Sequence, residues 1–125
     1  MKKILIIEDE AAYLKLLNTQ LTKRGYSVVE AANGKDGLKK AKEEQPDLIL
    51  LDIRMPVMDG MTMLDQLRKE EVGKKTKVIV LTNLEPDERI LDRVVEDEPS
   101  YYFIKSDISL DDLLEKIEEL LKLGL

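Results

Sequence analysis

Five residues with chemically useful side chains each follow an apolar run of the sequence. Two adjacent acids, Glu8 and Asp9, follow the first run, and Asp52 follows the third. A hydroxyl, Thr82, and an amine, Lys105, follow the fourth and fifth runs. If these runs are parallel strands, their carboxyl ends meet at one edge of a sheet, where open α/β folds bind ligands. We therefore expect the five side chains to share one site.

Three carboxylates, a hydroxyl and an amine suggest a site for a divalent cation and a phosphoryl group. Clustered carboxylates repel, so at neutral pH at least one should resist ionisation unless a cation lies among them. Mg²⁺ prefers oxygen ligands and typically takes one or two carboxylates together with a phosphate oxygen. The phosphoryl oxygens need hydrogen-bond donors and positive charge during transfer, and Thr82 and Lys105 would supply them. Asp52, between these groups, is the best nucleophile and would become an aspartyl phosphate.

Each of the five residues also has an ordinary structural interpretation. Asp9 could cap a helix, and Glu8 could favour the positive end of that helix. Asp52 could be a turn residue, Thr82 a β-branched strand residue and Lys105 a solvated lysine. For each residue alone the structural interpretation is better. For all five together the site is favoured, because structure alone gives no reason to place every one of them at the carboxyl end of a strand.

Composition excludes several classes of protein. A chain of 125 residues fits one domain, and it contains no cysteine and no histidine. Disulfides, thiolate or imidazole metal sites and Ser-His-Asp catalysis are therefore excluded, and any phosphohistidine must come from a partner. The net charge of −6 argues against nucleic acid as a direct ligand. No apolar stretch approaches the ~20 residues of a membrane span, and a chain without cysteine fits a cytoplasmic location.

Strand-like and helix-like segments alternate five times along the chain, which predicts an α/β fold with helices on both faces of a parallel sheet. The predicted strands are Lys3–Ile7, Ser27–Ala31, Leu48–Leu51, 78–81 and Tyr101–Ile104. The predicted helices are about 10–24, 35–44, 60–70 and 86–95, and a last one between the cap Ser109 and the stop Gly124.

Apolar residues at helical spacing predict the buried face of each helix. On the second helix, Gly37 and Ala41 lie one turn apart and would allow a close approach to the sheet. The other residues expected to face inward are Leu14, Leu17 and Leu21; Met61, Leu64 and Leu67; Ile90, Leu91, Val94 and Val95; and Leu110, Leu113, Leu114, Ile117, Leu120 and Leu121.

Taken together, the motifs resemble the receiver domain of bacterial two-component response regulators. The resemblance covers nearly the whole chain and rests on IIEDE at 6–10, LDIRMPVMDG at 51–60, LT at 81–82 and YFIK at 102–105. It implies a flavodoxin-like (βα)5 three-layer sandwich with a parallel five-stranded sheet of order 2-1-3-4-5. It also implies that residues 1–125 form a single receiver domain without an effector domain.

The resemblance implies a role for each site residue. Asp52 would accept a phosphoryl group from the phosphohistidine of a sensor kinase or a phosphotransfer protein. Asp9 and Asp52 would bind Mg²⁺ directly, Glu8 would bind it through a water, and the backbone carbonyl of Arg54 would complete the protein ligands. Lys105 would pair with the phosphoryl group.

The resemblance also implies a conformational switch. Thr82 would move toward the phosphoryl group and let Tyr102 swing inward, which would reshape the face made by helix four, strand five and helix five. A homodimer formed through this face on phosphorylation is a further expectation. In this interpretation the chain is a switch that catalyses its own phosphorylation and dephosphorylation, and it has no diffusible substrate to turn over.

Three alternatives compete with this interpretation. The first is a receiver-like scaffold that binds partners without phosphorylation. The second is a phosphatase of the haloacid dehalogenase type, which needs a second Asp two residues after its nucleophile, where this chain has Arg54. The third is a flavodoxin relative that binds FMN, which the absence of Trp and of a Ser/Thr-rich phosphate loop disfavours.

Some positions depart from the usual receiver pattern. Ser106 follows the lysine where proline is usual, and we expect a trans peptide bond there because a cis bond before a non-proline residue costs about 3 kcal/mol. Asn83 replaces a small residue and would narrow the approach to the phosphoryl group. Arg54 and Leu84 occupy positions that in this family tune the attack of water on the aspartyl phosphate. Residues 98–100 replace a turn that usually contains glycine.

Overall fold

The computed structural model describes residues 1–55, 57–85 and 87–123 of the chain. Within these residues, five parallel strands form one sheet of order β2-β1-β3-β4-β5, which confirms the predicted topology. The strands are β1 (Lys3–Ile7), β2 (Ser27–Ala31), β3 (Leu48–Leu51), β4 (Lys77–Thr82) and β5 (Tyr101–Ile104). Four strands have the predicted bounds, and β4 is one residue longer at each end.

The helices connect consecutive strands and cover both faces of the sheet. They are α1 (Ala11–Lys23), α2 (Gly34–Glu44), α3 (Gly60–Lys69), α4 (Glu88–Asp97) and α5 (Leu110–Leu123), with an unpredicted short 3₁₀ helix at Glu71–Gly73. Helices α1 and α5 pack on one face, and α2, α3 and α4 pack on the other. The three-layer flavodoxin-like sandwich is therefore confirmed.

Local sequence explains where the helices begin. Four of them start after a side chain that accepts a hydrogen bond from the first turn, which satisfies a backbone N–H that has no partner within the helix. These caps are Asn33, Asp59, Asp87 and Ser109. Pro86 and Gly124, the predicted start of α4 and stop of α5, lie outside the described residues. Gly25 ends α1 as predicted, with a φ of 92° that favours glycine.

The central strands and the inner helix faces form the core. All residues of β3 are buried, as are those of β1 after Lys3. The predicted inward residues of α1, α3 and α5 are buried or pack against the core. Gly37 also behaves as predicted, since a Cβ there would lie 2.6 Å from the Ile7 side chain. Helix α2 can therefore approach β1 closely because residue 37 has no side chain.

The predicted buried face of α4 is half wrong. Ile90 and Val94 pack against the core, but Leu91 is 49% exposed and Val95 is 77% exposed. Successive helical residues turn by about 100°, so Leu91 and Val95 form a second row beside the inner one. Helix α4 connects β4 to the edge strand β5, and only the row formed by Ile90 and Val94 packs against the core.

Candidate functional site

Backbone hydrogen bonds hold the acidic residues at the carboxyl edge of the sheet. The Glu8 N–H donates to the Ala31 carbonyl at 3.0 Å, and the Asp52 N–H donates to the Ile7 carbonyl at 3.0 Å. These bonds continue the parallel pairing by one residue beyond β1 and β3. Glu8 and Asp52 are therefore fixed by the sheet.

The three predicted acids come together. Glu8, Asp9 and Asp52 each offer a carboxylate oxygen, and these oxygens lie within 4.8 Å of one another. Glu8 is 3% exposed and Asp52 is 7% exposed, whereas Asp9 is open to solvent. Helix α1 starts after Glu10 without a side-chain cap, so Asp9 does not have the capping role that was its structural interpretation. Its carboxylate is available to a ligand that enters from solvent.

The predicted amine lies against these acids. The Lys105 Nζ is 2.5 Å from Glu8 Oε1 and 3.3 Å from Asp52 Oδ2, and the Lys105 side chain is only 9% exposed. Burial disfavours the charged amine, but the hydrogen bond to Glu8 and the charge of Asp52 outweigh it and raise the pKa of Lys105. Lys105 therefore stays cationic in a cluster that carries excess negative charge.

Glu8 is the acid that resists ionisation. Burial is the main cause and raises the pKa of its carboxyl to about 7, although hydrogen bonds from Lys105 and from the Glu10 N–H lower it. Repulsion from Asp52 contributes less than burial. The sequence correctly predicted a reluctant carboxyl, but it attributed the effect to repulsion alone.

The cluster fits a hard divalent cation. Its ligand atoms are all carboxylate oxygens, one of the three acids is solvent-exposed, and no cysteine or histidine exists to favour a softer metal. The Arg54 N–H makes a long hydrogen bond of 3.4 Å to Asp52 Oδ1 and so helps to orient that carboxylate. An open groove of about 730 Å³ reaches the cluster at Asp9 and is also lined by Arg54 and Leu84. A phosphoryl donor could approach through this groove.

Thr82 and Asn83 support the loops around the cluster. Thr82 is fully buried, and its Oγ1 accepts a hydrogen bond from the Leu84 N–H at 3.3 Å. Asn83 Oδ1 accepts a hydrogen bond from the Ser106 N–H at 3.2 Å, so Asn83 anchors the loop after β5. No described peptide bond is cis, which confirms the trans bond expected before Ser106.

The Tyr102 ring already points inward in this structure. Its hydroxyl donates to the Leu84 carbonyl at 2.7 Å, and its ring packs against the core on the face of the sheet that α2, α3 and α4 cover. Burial raises the pKa of Tyr102 to about 12, so the hydroxyl keeps its proton. The ring is thus connected to the loop that follows Thr82.

The contacts of two residues near the site were not predicted from the sequence. Gly60 begins α3, and a Cβ there would lie 2.1 Å from the Asp52 carbonyl oxygen. The predicted helix 60–70 placed Gly60 at a helix start but did not indicate this close contact. The other residue is Tyr13, whose ring centre lies 4.6 Å from the Lys105 Nζ. The only sequence signal was its position four residues after Asp9, in the first turn of α1.

The sequence matches the response regulator receiver domain family over residues 4–118. The chain belongs to this family. It is therefore a receiver domain of the kind found in two-component response regulators, as the motifs predicted. Among the described residues, no helix is both long and apolar enough to cross a bilayer.

Individual relatives agree with this assignment. The alkaline phosphatase synthesis transcriptional regulatory protein PhoP of Bacillus subtilis is 44% identical over 71 residues, which is 57% of this chain and 30% of that protein. A CheY-like receiver domain protein from Methanospirillum hungatei has a TM-score of 0.88 and 32% identity, covering 98% of this chain and 94% of that one. The BeF3-activated receiver domain of Klebsiella pneumoniae RstA has a TM-score of 0.83 and 30% identity, covering 95% and 97%.

The curated relatives are longer than this chain. It spans about a third of their length or less. The likeness therefore concerns only a part of each of these relatives.

Proposed function

We propose that Asp52 is the phosphoacceptor of this receiver domain. The observation that carries the proposal is the Lys105 amine held between the buried carboxylates of Glu8 and Asp52, in a three-carboxylate cluster that opens to solvent at Asp9. This arrangement gives a nucleophilic oxygen, a fixed positive charge and an oxygen-rich metal site within a few ångströms. A purely structural ion pair would need neither Asp9 nor the groove beside it.

The transfer would follow from these positions. An Asp52 carboxylate oxygen attacks the phosphorus of a phosphohistidine on a sensor kinase or a phosphotransfer protein, and the phosphorus–nitrogen bond breaks with its electron pair going to the histidine nitrogen. Lys105 pairs with the phosphoryl oxygens, which carry negative charge throughout. Mg²⁺, held by Asp9 and Asp52, by Glu8 through water and by the Arg54 carbonyl, would neutralise part of that charge.

The same residues support the rest of the cycle. The protein groups that favour transfer to Asp52 also favour transfer from Asp52 to water, so the domain would catalyse its own phosphorylation and dephosphorylation. Arg54 and Leu84 line the groove through which water would enter. The hydroxyl of Thr82 would turn toward the phosphoryl group. The Tyr102 side chain would move in response and so change the face made by α4, β5 and α5.

The wider role follows from the family. The chain would act in the cytoplasm as one receiver domain over residues 1–125, with a sensor kinase as its input. A homodimer through α4, β5 and α5 is a further part of the proposal. Leu91 and Val95 on α4 are the exposed apolar residues that such a contact would cover.

Phosphorylation by a small donor tests the assignment of Asp52. We expect the wild-type protein, incubated with acetyl phosphate and Mg²⁺, to gain the mass of one phosphoryl group, and Asp52→Ala to gain none. Asp92→Ala is the matched control, because Asp92 is an exposed acid of α4, and it should gain the same mass as the wild type. Chelating Mg²⁺ should prevent the gain.

Two results would contradict the proposal. A phosphorylated Asp52→Ala protein would place the acceptor elsewhere. A wild-type protein that gains no mass from acetyl phosphate or from a phosphohistidine donor would favour the scaffold that works without phosphorylation.

A further inference from the structure

We infer that Tyr13 is a positioning residue for the phosphoryl transfer, and that its ring holds the Lys105 amine against the acidic cluster. The Lys105 Nζ lies 4.6 Å from the centre of the Tyr13 ring, within the range of a cation–π contact. This inference rests on the proposed function, because Tyr13 would act through Lys105 and would not touch the phosphoryl group.

The surroundings of the amine support the contact. A lysine amine has three N–H donors, and among the described residues its carboxylate acceptors are Glu8 and Asp52. The ring of Tyr13 takes a further side of the same amine. Because the Lys105 side chain is only 9% exposed, water competes little for that side, and cation–π contacts are strongest when the cation is desolvated.

Because a lysine side chain is flexible, the contact with Tyr13 would restrict where the Lys105 amine can lie. Four methylene groups joined by rotatable bonds separate the Lys105 backbone from its amine. The position of Lys105 at the end of β5 therefore does not by itself fix where the amine lies. Tyr13 is part of α1 and packs against the core formed by α1, α5 and the sheet, so its ring is a rigid support. Tyr13 lies in the first turn of α1, four residues after Asp9, so the support belongs to the chain segment that directly follows the metal site.

The ordinary alternative is that Tyr13 only fills space on the inner face of α1. Leucine at position 13 would still fill most of that space but has no π face for the amine. Phenylalanine would keep the face and lose only the hydroxyl. Tyr13→Phe and Tyr13→Leu therefore separate positioning from packing. Tyr26→Leu serves as a matched control, since Tyr26 is also half-buried and packs against the same core.

The first measurement needs no phosphoryl donor. In protein with ¹³C-labelled lysine, the ε-methylene resonance of Lys105, assigned by its loss in Lys105→Met, should be shifted upfield by the Tyr13 ring. We expect this upfield shift in the wild type, Tyr13→Phe and Tyr26→Leu, and its loss in Tyr13→Leu. A resonance that does not move in Tyr13→Leu would overturn the inference.

The second measurement is the rate of phosphorylation by acetyl phosphate with Mg²⁺. A contact of ordinary cation–π strength predicts a rate about 2- to 30-fold lower for Tyr13→Leu, with Tyr13→Phe and Tyr26→Leu close to the wild type. The positioning role of Tyr13 would be overturned if Tyr13→Phe were phosphorylated as slowly as Tyr13→Leu. It would also be overturned if Tyr13→Leu were phosphorylated as fast as the wild type. If Tyr13→Leu does not fold, Tyr13→Met replaces it, since methionine adapts to irregular spaces. If the wild type itself is not phosphorylated, the proposed function fails, and the resonance shift still decides the contact.

Discussion

At the scale of single residues, the pH response of the protein should depend on Glu8. Its carboxyl has a pKa of about 7 in the folded protein and an ordinary value of 4.5. Without Mg²⁺, the folded state therefore keeps a proton that the unfolded chain releases between these two values. Because the folded state binds more protons, the free energy of unfolding contributed by Glu8 is present below about pH 4.5 and is lost as pH rises through about 7.

Urea unfolding of the Mg²⁺-free protein between about pH 5 and about pH 8 measures this loss. We expect Glu8→Gln to lose less stability over that interval than the wild type, because an amide cannot release the proton. Glu10→Gln, which changes an exposed neighbour, should behave like the wild type. Equal pH slopes for Glu8→Gln and the wild type would contradict the raised pKa.

The sequence predicted which site residues would meet but not every contact among them. Glu8, Asp52 and Lys105 come together because a parallel sheet aligns the carboxyl ends of its strands, and that rule needs only the strand assignments. Tyr13 was missed because an aromatic residue on an amphipathic helix looks like an ordinary core residue. Its contact depends on the side-chain conformation of Lys105, which sequence periodicity does not specify.

At the scale of secondary structure, Arg68 connects α3 to the segments around β4 and the end of α4. Its guanidinium donates to the carbonyls of Asp97, Gly73 and Thr76 at 2.7–2.8 Å. Arg68→Met would keep much of the stem but leave these acceptors without their donor. We expect a loss of about 2 kcal/mol in the free energy of unfolding, measured with urea. Lys69→Met, an exposed neighbour, should cost far less, and equal losses would contradict a specific role for Arg68.

Side-chain contacts like those of Arg68 also limit how well the packing of helices and strands can be predicted from the sequence. Strand and helix positions followed from apolar periodicity, but Arg68 joins residues up to 30 positions away through backbone carbonyls, which have no sequence signature. The same limit explains α4. The periodicity showed an apolar stripe that included Leu91 and Val95, but how much of that stripe the sheet covers depends on where α4 lies.

At the scale of the whole molecule, the site should cost stability when no metal is bound. Folding brings three carboxylates within 4.8 Å of one another, against a single amine. Asp52→Asn removes one negative charge and keeps an oxygen that can accept from Arg54. We expect it to raise the free energy of unfolding by about 1 kcal/mol without Mg²⁺.

Thermal unfolding with and without Mg²⁺ checks this expectation. Mg²⁺ should stabilise the wild type more than Asp52→Asn, because it binds the folded wild-type cluster. Asp92→Asn changes an exposed acid of α4. Its thermal stability without Mg²⁺ and its stabilisation by Mg²⁺ should both be close to those of the wild type. A less stable Asp52→Asn protein would show that the Asp52–Lys105 pair outweighs the repulsion.

The hydrogen bonds from Glu8 and Asp52 into neighbouring strands bear on how such a domain can diversify. Because these two backbones belong to the ladder, repositioning either acid would require opening the middle of the sheet. Arg54 and Leu84, by contrast, lie on loops along the groove and can be exchanged without disturbing the ladder. Under the proposed function, a lineage of such domains would be free to adjust the lifetime of the phosphorylated state through loop side chains, while the positions of Glu8 and Asp52 stay unchanged.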